Sequence, residues 1–86
     1  MEYIVIAFRS RGHTVKFYQL LQENRIGAQI INTPKEAGVG CGLSVKIMPT
    51  QIINAKTLLN KSALSSFAGL FMVKEFSSSR LVRVIN

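Results

Sequence analysis

Apolar and polar positions alternate in two distinct periods along the chain, and the change of period marks out the elements. Tyr3-Ile4-Val5-Ile6-Ala7-Phe8 is a continuous β-branched and aromatic run, the pattern of a strand buried on both faces and hence of the middle of a sheet. Arg9-Ser10-Arg11-Gly12 interrupts it, with Ser10 placed to cap a helix in which Val15, Phe17, Leu20, Leu21 and Asn24 recur at near-helical spacing. This helix is predicted to end at Gly27, with Arg25 in its last turn. Ala28 to Asn32 reads as a second strand. Leu43-Ser44-Val45-Lys46-Ile47 alternates as a third, with Ser44 and Lys46 turned to solvent. Pro49 stops that strand and Thr50 is placed to cap a second helix, whose apolar stripe is Ile52, Ala55, Leu58 and Leu59, ending between Lys61 and Ser66. Phe67 to Phe76 holds a fourth strand, Ser77-Ser78-Ser79 a turn, and Leu81 to Ile85 a short fifth strand.

The order β-α-β-β-α-β plus one strand predicts an α+β fold, a ferredoxin-like split sandwich with two helices on one face of an antiparallel sheet and an extra C-terminal strand. With no internal repeat and no composition shift, residues 1–86 read as one domain. A right-handed crossover puts the third strand between the first and second. The end of the first strand, the start of the first helix and the start of the third strand then share one edge, which brings Arg9 to His13 toward Gly40-Cys41-Gly42.

Composition narrows the function classes. The chain has 86 residues, 48% of them hydrophobic, enough for a core without a metal or a disulfide. Its single cysteine excludes an internal disulfide, and the Met1-Glu2-Tyr3 start lacks a secretory pattern, so a cytoplasmic protein is expected. The longest uncharged stretch, Ser62 to Val73, is short of a membrane span. Eleven Lys and Arg against four Glu and no Asp give a net charge of +7, which favours acidic partners of any kind. Nucleic acid is not the expected partner, because the third strand carries none of the aromatics that stack on bases.

The candidate chemistry lies in the loop Asn32 to Leu43, where Cys41 stands between Gly40 and Gly42. A thiolate is the reactive form of cysteine, and its pKa falls near helix N-termini, cations and convergent amides. Gly38, Gly40 and Gly42 permit positive φ and leave the sulfur reachable. Lys35, Arg9 and Arg11 supply positive charge, and the Arg9-Ser10-Arg11-Gly12 turn is a candidate anion contact or a plain helix cap. The bland alternative is a small buried cysteine beginning a strand. His13, the only histidine, has no Asp to orient it as a base. One Cys and one His are too few for a closed metal site, and no cofactor motif is present.

On these residues a resemblance rests. Phe8 and Ser10 through Leu20, Pro34-Lys35-Glu36 and Cys41-Gly42-Leu43 resemble the selenium/sulfur carrier-protein-like family, over about Tyr3 to Leu59. The resemblance implies a carrier rather than an enzyme: Cys41 holds sulfur or selenium as a persulfide or selenopersulfide and passes it between donor and acceptor proteins. Gly42 and Pro34 would shape its loop. Lys35 stands where the family more usually has arginine, and Gly38-Val39-Gly40 replaces a serine-rich approach, which leaves backbone amides as the main support for an anion. The alternatives are a basic binding or assembly module for an acidic partner with Cys41 structural, its Leu81 to Ile85 strand a candidate homodimer seam, and, last, a cysteine-dependent transferase.

Overall fold

The computed structural model describes residues 1–85. Five strands form one antiparallel sheet: β1 (Glu2–Phe8), β2 (Gln29–Asn32), β3 (Leu43–Ile47), β4 (Phe67–Glu75) and β5 (Arg80–Val84), in the order β2-β3-β1-β4-β5. Helix α1 (Arg11–Glu23) joins β1 to β2 and α2 (Ile52–Ser62) joins β3 to β4. Short 3-10 turns at Lys35–Ala37 and Pro49–Gln51 lie on either side of β3. The predicted fold class and strand order are both observed: β1 is central, β3 lies between β1 and β2, and β5 is the extra strand beside β4.

Burial follows from the period of β1. Ile4, Ile6 and Phe8 face the helices and pack with Phe17 and Leu21 of α1, Ala55 of α2, Val45 and Ile47 of β3 and Leu70 of β4. Their neighbours Tyr3, Val5 and Ala7 face the other side, where Phe71 and Val73 of β4 complete a second cluster with no helix over it. That face stays dry because the chain after β2 folds across it. Pro34 is buried, Ala37 packs on the cluster, and Glu36 meets Arg80 of β5, whose Nε lies 3.1 and 3.0 Å from the two carboxylate oxygens. Segments attached to the two opposite edges of the sheet are thus clasped by one bidentate pair. Arg80 holds the Glu36 carboxyl below its usual pKa. At the far end of the same face Tyr3 donates to Glu75 at 3.1 Å, and Lys46 Nζ lies 4.4 Å from the Tyr3 ring centre.

Several local expectations are corrected, each for a physical reason. Helix α1 ends at Glu23, and the left-handed residue is Arg25 (φ 60), not Gly27. Arg25 N–H donates to Gln22 O and Ile26 N–H to Leu21 O, the paired bonds of a Schellman motif, and buried Ile26 joins Leu21 in the core. Burying Ile26 fixes the turn at Arg25, two residues before the permissive glycine arrives. The stripe of α1 is Thr14, Phe17 and Leu21, with Val15 turned outward. Thr50 caps nothing, since Pro49 starts a 3-10 turn that runs into α2. Ser44 is fully buried, because the Pro34 to Gly38 strap covers its face, and its hydroxyl pairs with that of Thr33 at 2.6 Å.

Candidate thiol site

The loop before β3 is held by backbone bonds on both sides of the cysteine. Cys41 N–H donates to Phe8 O at 3.1 Å, tying it to the last residue of β1, and Thr33 N–H donates to Gly42 O at 2.9 Å. The β1–β4 register shifts between Ala7 and Phe8, a bulge that lets the end of β1 leave the regular ladder where it accepts the loop. Gly38, Gly40 and Gly42 all have positive φ, of 67°, 96° and 94°. At Gly40 the constraint is double, since a Cβ would also lie 3.3 Å from Phe8 O.

Cys41 is half-buried, with its sulfur on the helix side of the sheet, 3.7 Å from the Thr14 hydroxyl and 3.5 Å from Leu43 O. Thr14 is completely buried in the first turn and a half of α1, and its hydroxyl also lies 3.3 Å from Leu43 O and 3.4 Å from Ser10 O. One hydroxyl proton can serve only one of these acceptors at a time. A neutral thiol can itself donate to Leu43 O, whereas a thiolate needs donors and can take the proton of Thr14. Burial opposes ionisation of Cys41, but backbone hydrogen bonding at Leu43, the Thr14 hydroxyl, backbone hydrogen bonding at Cys41 and the charge of Arg11 outweigh it. The thiol is therefore pulled below its usual pKa. Because the Cys41 amide is already engaged by Phe8 O, Leu43 and Thr14 carry more of that effect.

The structure brings some of the expected residues to the sulfur and leaves others apart. Gly40 and Gly42 flank it, and Arg11 acts on it through its charge. Ser10 is the helix cap, accepting from His13 N–H at 3.2 Å, and its own N–H donates to the Ser66 hydroxyl at 3.1 Å. Arg9 reaches Phe67 O at 3.4 Å. Lys35 and Pro34 line a shallow hollow of about 280 Å³ with Thr33, Gly38, Val39, Gly40 and Gly42, and Cys41 is not among its walls. His13 Nδ1 sits 2.6 Å from the Ser66 hydroxyl, and its ring meets the edge of Phe8; among the described residues no hydrogen bond joins it to Cys41. Thr14 and Ser66 were not anticipated. Thr14 had one available signal, its place three residues before Phe17 on the buried stripe. Among the described residues no three His, Cys, Asp or Glu side chains gather as metal ligands, and no helix is long and apolar enough to cross a membrane.

The chain is an α+β sandwich of ferredoxin-like type that presents one half-buried, acid-shifted thiol from a glycine loop at the sheet's end. The chain belongs to the Putative Se/S carrier protein-like family, whose profile matches residues 3–66. That span covers the thiol loop, both helices and Ser66, and stops just before β4. No curated protein and no solved structure gives a significant match.

Proposed function

We propose that the protein carries sulfur or selenium on Cys41, in persulfide form, and hands it from a donor protein to an acceptor protein. The observation that carries this reading is the sulfur held between the Thr14 hydroxyl and Leu43 in a half-open position, with its ionisation favoured at the mouth of α1. Family membership supports the cargo. Loading is an exchange at sulfur. The Cys41 thiolate attacks the terminal sulfur of a donor persulfide, the new Sγ–S bond forms as the donor S–S bond breaks, and the donor leaves as a thiolate. Delivery is the same step with the roles reversed, so no outside oxidant or reductant enters. The anion at the end of the carried group would draw on the charge of Arg11 and the Thr14 hydroxyl, while the glycines leave the approach open to a second protein.

Incubation with a cysteine desulfurase and free cysteine, followed by intact mass, tests this reading. One added sulfur atom on the native chain, absent from Cys41→Ser, is the expected outcome; a native chain that stays unloaded beside a working carrier control refutes it.

A further inference from the structure

We infer that the outer edge of β5 is a docking strand for an extended acidic peptide segment of a partner protein. β5 is an edge of the sheet, with β4 on one side and no strand on the other among the described residues. Ile85 N–H donates inward to Leu70 O at 3.0 Å. Antiparallel alternation then turns the backbone groups of Leu81 and Arg83 inward as well, and leaves those of Arg80, Val82 and Val84 facing out. An edge of this kind is a ready template for another strand.

The side chains choose the occupant. Leu81 and Val84 are 64% and 63% exposed, more than a strand end needs. On the helix side, Leu81 and Arg83 stand opposite Lys74 and Met72 in register, and these four line a dent of about 100 Å³. An added strand would therefore find an apolar contact beside the Arg83 cation, with Lys74 across the dent held by Glu2 at 3.7 Å. A second copy of this chain is a poor fit, because each copy carries +7 and would bring its own Arg83 into the seam. Charge complementarity selects a segment that alternates carboxylate and aliphatic side chains. β4 and β5 lie outside the span matched by the family profile, so this edge belongs to the part of the chain that the carrier reading does not use, and the inference stands whether or not Cys41 carries sulfur.

The test uses the full chain and a fluorescein-labelled, capped heptapeptide of alternating Glu and Val, read by anisotropy at low salt. Three changes are each expected to weaken binding about tenfold or more: Val84→Pro, which removes one outward N–H at an exposed position; Arg83→Glu; and N-methylation of alternate peptide amides, which leaves the protein untouched. A peptide with Gln in place of Glu is expected to bind comparably weakly, and Cys41→Ser to bind like the native chain. Binding that survives both Val84→Pro and peptide N-methylation would show attraction to the basic surface alone and overturn the proposal. So would no binding at all, or sedimentation as a dimer that Val84→Pro dissolves.

Discussion

The Thr14 hydroxyl offers the sharpest probe of the site, because it is completely buried, lies 3.7 Å from Sγ and can be removed with little change of shape. In Thr14→Val a methyl replaces the hydroxyl. The neutral thiol loses little, since Cys41 can still donate to Leu43 O at 3.5 Å. The thiolate loses a donor and gains nothing. A hydrogen bond to a charged group contributes about 1.5–3 kcal/mol, and the long sulfur contact places this one at the low end. About 1.4 kcal/mol is a factor of ten, so the thiolate fraction at neutral pH should fall roughly tenfold in the variant. The assay is the rate of alkylation by iodoacetamide against pH. The rate profile of Thr14→Val should move to higher pH and level off at a plateau somewhat above the native one, because a thiolate of higher pKa is the stronger nucleophile. Urea unfolding serves as the control, where a change within about 1 kcal/mol is expected because Ser10 O keeps the Thr14 N–H as a donor and Leu43 O keeps the Cys41 thiol. Coincident alkylation profiles, in a variant of native stability, would refute the claim that Thr14 supports the thiolate and would move the effect to the backbone at Leu43.

Three further substitutions test the frame around the site. Gly40→Ala should cost about 1–3 kcal/mol in chemical denaturation, more than Gly42→Ala, because both residues have positive φ but only at Gly40 would the new Cβ press on Phe8 O. Arg25→Gly should raise stability by about 0.5–1 kcal/mol, since it relieves a left-handed arginine (φ 60) in the Schellman turn after α1; a loss of stability would mean that the arginine stem contributes packing. Glu36→Gln should speed amide exchange across Pro34 to Gly38. Because Arg80 lowers the Glu36 pKa from its ordinary 4.5, the native clasp contributes in full above about that pH and is lost as the pH falls through the depressed value. The native chain should therefore approach the exchange behaviour of Glu36→Gln in acid and differ from it at neutral pH.

How far the sequence reveals this molecule depends on the range of the forces at each position. β1 is legible because an apolar run of strand length has few other places to go than a sheet centre, and the predicted strand order follows once the crossover is right-handed. Ser44 is not legible, because its burial depends on a strap closed by Glu36 and Arg80, which lie far apart in the chain and reveal nothing locally. Arg25 is misread for a related reason. The helix end is decided by Ile26 reaching the core, which outweighs the local preference of Gly27 for the turn.

The thiol site divides along the same line. Cys41, its glycines and its proximity to the start of α1 can be read from spacing and topology. The arrangement of donors cannot, because a threonine on an otherwise apolar stripe counts as a break in the pattern when read alone. In the fold that break sets a hydroxyl 3.7 Å from the Cys41 sulfur. A valine at position 14 would complete the stripe and bury the same volume, so packing does not require the hydroxyl; what the hydroxyl adds is a proton that Leu43 O and the Cys41 sulfur can share. The glycine loop sets where the sulfur sits, through the bond from Cys41 N–H to Phe8 O. How readily it ionises is set against burial by backbone hydrogen bonding at Leu43, then by the Thr14 hydroxyl of α1, with backbone hydrogen bonding at Cys41 and the charge of Arg11 adding less. Lys35, the nearest cation before Cys41 along the chain, lines a hollow that the sulfur does not share. A charge change there should therefore leave the alkylation profile of Cys41 in place, while Arg11→Gln should move it in the same direction as Thr14→Val.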